Sequence, residues 1–166
     1  MSNNVKFYDY SVNVKSAIKE KALAFLKEIG GEIRSQASRN SRRVSSHTAG
    51  SFEYKIDKEN MAVHIGSDYW NAIYEEFGTG EHAINGDGRK GYWIFVKSNG
   101  APRAPKGGKT YTKKEARRIM AILRSKGIEA YYTNGKKANR ALFRAFTTTE
   151  PRIEEVAKKY FGELDK

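Results

Sequence analysis

Glu81 and His82 stand side by side after a glycine turn, with Glu75 and Glu76 a few residues upstream. Carboxylates beside an imidazole can hold a divalent ion that activates water for hydrolysis. Two or three carboxylates and one imidazole on a loop are a weak signal for that chemistry. His47 and His64 add nothing to it, because no two histidines sit three or four apart, as ligands on one helix face must. Phosphate cradles fail on spacing. Gly78-Thr-Gly80 lacks the Lys-Ser/Thr ending of a P-loop, and Gly107-Gly-Lys-Thr110 lacks the first glycine and a preceding strand. No Ser-His-Asp arrangement assembles, and the chain has no cysteine, so thiolate ligands, thiol nucleophiles and disulfides are excluded. The expectation is no enzyme: no catalytic residue, no cofactor and no metal. Glu75 and Glu76 are expected instead to carry interface charge or to cap amides of the glycine turn.

Charge offers a different chemistry. The formal net charge is +12, and it is uneven: residues 89–144 hold 16 Lys and Arg against Glu115 and Glu129 alone, a net of +14, leaving the rest of the chain at −2. Concentrated positive charge attracts polyanions or an acidic protein face, and that attraction falls with salt. Candidate contacts are Arg39, Arg42 and Arg43 in a Ser/Asn-rich stretch, and Lys113, Lys114, Arg117, Arg118 and Arg124 further on. No 18-residue apolar window exists and Met1–Asn4 is polar, so neither a membrane span nor a signal peptide is expected.

The elements that must position these residues read as one domain of 166 residues. Val14, Ile18, Ala22, Phe25, Ile29 and Ile33 recur at steps of four and three, predicting a helix over about 11–38, loosened at Gly30-Gly31. Residues 34–48 are basic and polar and read as a mobile loop, as does the Pro/Gly-rich stretch 99–109. Phe52, Tyr54 and Ile56, then Met61, Val63 and Ile65, alternate with polar residues as a hairpin with one buried face, His64 pointing outward. Residues 69–77 fit a short helix and Tyr92–Val96 a strand. Thr112-Lys-Lys-Glu115 has capping-box spacing, Gly127 is a natural helix stop, and residues 128–133 form a second strand. The sequence therefore predicts a compact, basic, βαβ-like strand-helix-strand excursion whose sheet order the residues leave open. Two closing helices follow, the second opened by Thr149 and Pro151. The fold class is α+β: a long N-terminal helix and C-terminal helices on a small, mostly antiparallel sheet.

The stretch Gly66–Gly80, GSDYWNAIYEEFGTG, carries the clearest signal. Tyr69, Trp70, Tyr74 and Phe77 supply large apolar area, with a polar handle on the tyrosines and tryptophan, which suits a core edge or a subunit contact. Gly78 and Gly80 permit positive φ or close approach of another chain. On that reading Gly78→Val abolishes assembly and leaves the monomer folded. The order of these residues, with Glu-Phe-Gly-Thr-Gly at its end, resembles the signature of the tail-completion, or head–tail joining (neck), protein family of long-tailed bacteriophages and prophages. Thr48-Ala-Gly50-Ser-Phe52 is similar to the family's Thr-Gly-x-Leu element. Residues 133–139 with Arg144-Ala-Phe146 resemble its entry to the last helix, without the prolines usual there. The likeness is spread over about residues 12–80 and 130–164.

This resemblance implies a structural virion protein. It would form a homo-oligomeric ring at the head–tail junction, touching head-closure and tail-tube proteins and passing through the host cytoplasm during assembly. Head-to-tail subunits in a ring need two different complementary faces. One is expected over Tyr69, Trp70, Tyr74, Glu75, Glu76, Phe77, Gly78, Thr79 and Gly80. The cationic third is expected to meet a neighbour's acidic surface or, non-specifically, DNA. The alternative is a small basic nucleic-acid-binding module built on residues 113–126 with Trp93, Tyr131 and Tyr132 as stacking platforms.

Overall fold

A computed structural model describes residues 9–42, 46–98, 101–103 and 108–162. The chain divides into two compact units: residues up to 40, 49–68 and from 142 onward form the first, and residues 41–48 and 69–141 the second. Together they hold helices and two small antiparallel sheets, an α+β fold.

In the first unit, helix α1 (Ser11–Asn40) packs on an antiparallel hairpin of β1 (Phe52–Asp57) and β2 (Ala62–Ser67). The apolar stripe is buried where strands cover it, at Ile29, Ile33 and Ala37, with Phe52 opposite in the core. Gly30-Gly31 does not loosen the helix. A Cβ at Gly30 would sit 2.7 Å from Val63 Cγ2 and 2.8 Å from Tyr54 Cδ2, so this glycine lets the hairpin seat against the helix. That contact offsets the roughly 1 kcal/mol a helical glycine costs.

The expected loop over 34–48 is corrected in its first half. Residues 34–40 continue α1, because Arg34 Nε donates to Phe52 O at 2.9 Å, Ala37 is buried, and Arg144 donates to Asn40 O at 2.8 Å. A short helix α2 (Ser46–Gly50) follows, and residues 43–45 lie outside the described set.

The two closing helices are one, α5 (Ala141–Phe161), with Pro151 inside it. Thr149 lies within this helix rather than at its N-terminus, buried on the same face as Ala145 and Val156. Lost hydrogen bonding at an interior proline costs about 3 kcal/mol, offset by contacts with α1, through Arg144 and Asn40 before it and through several side chains after it. Arg152 pairs with Glu32 at 2.7 Å, Lys159 and Tyr160 both reach Glu28 Oε2 at 2.8 Å, and Phe25 meets Phe161 edge-on at 5.8 Å. Rising numbers on α5 meet falling numbers on α1, so the helices run antiparallel.

The second unit is built on a three-stranded sheet of order β4-β3-β5, from β3 (Trp93–Ser98), β4 (Ala101–Arg103) and β5 (Ala130–Thr133). The strand-helix-strand excursion is present, and its two strands, β3 and β5, pair antiparallel. Helix α4 (Lys113–Ser125) connects them and buries Ala116 against the sheet. Its start is the expected capping box of Thr112 with Glu115. Its end is a Schellman motif: Ile128 N donates to Leu123 O, Gly127 N donates to Arg124 O, and Gly127 takes φ 75°. Among the described residues no helix is long and apolar enough to cross a membrane.

Candidate interaction site

Helix α3 (Trp70–Phe77) belongs to the second unit and presents two faces of opposite character. Its inward face carries Ala72 and Glu75, the latter only 4% exposed. A buried carboxylate is costly unless it is paired and hydrogen-bonded. Glu75 meets both conditions: Ser41 Oγ donates to Oε2 at 3.0 Å and Lys136 Nζ pairs with Oε1 at 3.1 Å. Its main-chain carbonyl accepts from Asn139 N at 2.6 Å.

The outward face carries Trp70, Ile73, Tyr74 and Phe77, exposed by 68%, 58%, 44% and 42%. Their spacing of i, i+3, i+4 and i+7 makes one continuous stripe. Ile84, also exposed, is tied to its end, because Ile84 N donates to Phe77 O at 3.0 Å. The rings brace one another: Tyr69 lies 5.9 Å from Trp70, which meets Tyr74 edge-on at 5.8 Å.

The glycine turn fixes which face points out. Gly78 ends α3 at φ 74° and Gly80 follows at φ 61°. Thr79 N donates to Lys136 O, Lys136 N donates back to Thr79 Oγ1, and Glu81 N donates to Asn134 O, each at 2.9 Å. A Cβ on Gly78 would meet His82 O at 2.6 Å, Ala138 N at 2.8 Å and Lys136 O at 2.9 Å. One on Gly80 would strike Asn134 O, and one on Gly135 would strike Thr79 O. Glu81 clamps the same junction, accepting from Asn134 Nδ2 and Gly91 N at 2.9 Å each. The Asn134 bond first, then the Gly91 bond, hold its carboxyl below the ordinary glutamate range.

The expected interface is thus reassigned in part. Trp70, Tyr74 and Phe77 face outward. Glu75, Gly78 and Gly80 are buried and committed to residues 134–139 of the same chain, so they offer nothing to a second chain. Thr79 is half-buried and bonded to Lys136; Tyr69 and Glu76 are half-buried. The expectation that Gly78→Val leaves the monomer intact is corrected for the same reason. Ile73 completes the stripe and was readable from its position between Trp70 and Phe77. Ser41, Asn134 and Lys136 were not, because nothing in local spacing ties them to residues so distant in sequence. Glu81 and His82 do not assemble a metal centre with Glu75 and Glu76: among the described residues no three His, Asp or Glu side chains gather as ligands would.

The cations divide as well. Lys113, Lys114, Arg117 and Arg118 are exposed along one face of α4. Arg124 turns back, donating to Ala130 O at 2.9 Å with its guanidinium 5.0 Å over Tyr131. Tyr131 also stacks on Phe95 at 5.4 Å, and Arg89 lies 5.2 Å over Trp93, so two of the three suggested stacking platforms are already occupied. Tyr132 packs 5.7 Å from Tyr92. Arg42 donates to Lys137 O at 2.9 Å, Arg39 to Gln36 Oε1 at 2.7 Å, and Arg43 lies outside the described residues. Compared with known proteins, the chain matches no family model, no curated protein and no solved structure.

Proposed function

We propose that this chain works by assembly: it is a tail-completion subunit that joins copies of itself into a ring at the head–tail junction of a long-tailed phage or prophage. It meets head-closure and tail-tube proteins there and performs no catalytic step. The observation that carries the reading is the inverted polarity of α3. A monomer gains nothing by holding four large apolar side chains outside, whereas contiguous exposed apolar surface marks sites of protein association. The stripe also falls within the stretch whose sequence resembles the tail-completion signature.

A second reading rests on Lys113, Lys114, Arg117 and Arg118, a cationic face suited to phosphate. The occupied rings at Trp93 and Tyr131 argue against a stacking platform, so a nucleic-acid-binding module ranks below the assembly subunit. In a ring around exiting DNA the same cations would make non-specific contacts.

Deleting the gene from a phage or prophage that carries it tests the reading. Unjoined heads and tails in electron micrographs, rescued by the wild-type chain, are expected. Normal joined particles from the deletion would contradict it. Tight DNA binding by a monomer, falling by orders of magnitude from low to moderate salt, would favour the second reading.

A further inference from the structure

We infer that the outward stripe of α3 is the seat for the first turns of α1 from a neighbouring copy, a head-to-tail contact that repeats around a ring. The inference rests on the assembly reading and adds which two surfaces meet.

Three observations support this occupant. Every residue of α1 from Ser11 to Glu20 is exposed, although the helix is continuous from Ser11 to Asn40. Ten residues of uncovered helix are marginal in water and persist here as an extension of the covered part. The apolar stripe of α1 does not stop where its cover stops. Phe25, Ile29 and Ile33 line the covered half, while Ile18, Val14 and Tyr10 continue it at steps of four into solvent, 40%, 52% and 62% exposed. Half of the stripe is covered at home, while Val14 and Ile18 stand in solvent.

Size and charge then select α3 as the partner surface. At 1.5 Å per residue, eight residues of α3 present about 12 Å of stripe and the exposed start of α1 about 15 Å. The two can lie along each other over their full lengths. With aromatics at about 150–250 Å² each, the α3 stripe offers on the order of 400 Å², about half of one side of a standard interface. The exposed residues 11–20 carry Lys15 and Lys19 against Glu20, a net of +1. Residues 70–81 carry Glu75, Glu76 and Glu81 and no Lys or Arg. Even with Glu75 neutralised by Lys136, that segment stays negative where the neighbour's helix is positive. Pairing α3 with α3 across a two-fold axis would set negative against negative and close at two copies. Unlike faces continue, and close into a ring when the rotation allows.

The contact is tested by sedimentation of the full chain and of two double variants, V14D/I18D on α1 and W70S/I73S on α3, each checked for unchanged helical circular dichroism. Wild type is expected to form multiples of 18.8 kDa. Each variant alone is expected to remain a monomer. An equimolar mixture should form a one-to-one dimer and nothing larger, because one intact α1 then meets one intact α3 and both remaining faces are spoiled. A mixture that stays monomeric, or a V14D/I18D chain that assembles like wild type, overturns the α1–α3 contact while wild-type assembly leaves the wider reading standing. A V14D/I18D chain that dimerises through α3 alone also overturns it. Wild type that stays monomeric at every concentration removes both the contact and the self-assembling ring.

Discussion

The turn at Gly78–Gly80 and the stripe at Trp70–Phe77 come from one run of sequence, and the fold uses them in opposite ways. Around the turn three polar side chains are answered within the second unit: Thr79 by Lys136, Glu81 by Asn134 and Gly91, Glu75 by Ser41 and Lys136. Along the stripe four large side chains are left to solvent. The difference separates two jobs that one motif conflates. Glycines and carboxylates set the angle at which α3 leaves the unit, and the aromatics are what that angle displays. A substitution in the turn should therefore cost folding, and one in the stripe should cost association.

The largest effect is expected at Gly78→Val. Positive φ and three backbone atoms within 3 Å of the new Cβ should destabilise the second unit by about 4 kcal/mol or more, read as lost thermal unfolding cooperativity. Glu75→Leu comes next. It strands Ser41, while the half-exposed Lys136 can turn to water, so a loss of about 2 kcal/mol in denaturant unfolding is expected. Thr112→Ala removes the capping box of α4, away from both regions, and should cost about 1 kcal/mol.

Acid should act on the turn before the stripe. Glu81 has its folded-state pKa depressed by Asn134 and Gly91, so its contribution is complete above the ordinary glutamate range and is lost as pH falls through the lower folded value. Stability measured on acidification should decline in that window, and the decline should shrink in Glu81→Gln. The smallest stability effect belongs to W70S/I73S, within about 0.5 kcal/mol of wild type, because the removed side chains are exposed.

Much of the fold was legible. Alternation at 52–56 and 61–65 gave the hairpin, and the Thr112/Glu115 spacing and Gly127 gave both ends of α4, because these signals are local. Errors arose where distant partners overrode local preference. Arg34–Asn40 looks like a connector until Phe52 and Arg144 are placed beside it, and Pro151 looks like a helix start until Ala145, Thr149 and Val156 are seen on one buried face. The site was half legible: the aromatic spacing of α3 is written in the chain, but which side faces solvent depends on Ser41 and on residues 134–139, whose approach no local pattern records.

Sedimentation of W70S/I73S against wild type tests the central claim most directly, since it removes only the outward stripe. Wild type should assemble in a concentration-dependent way while the variant keeps native circular dichroism and sediments as an 18.8 kDa monomer. A folded variant that assembles as wild type does would contradict the assignment of this face to assembly.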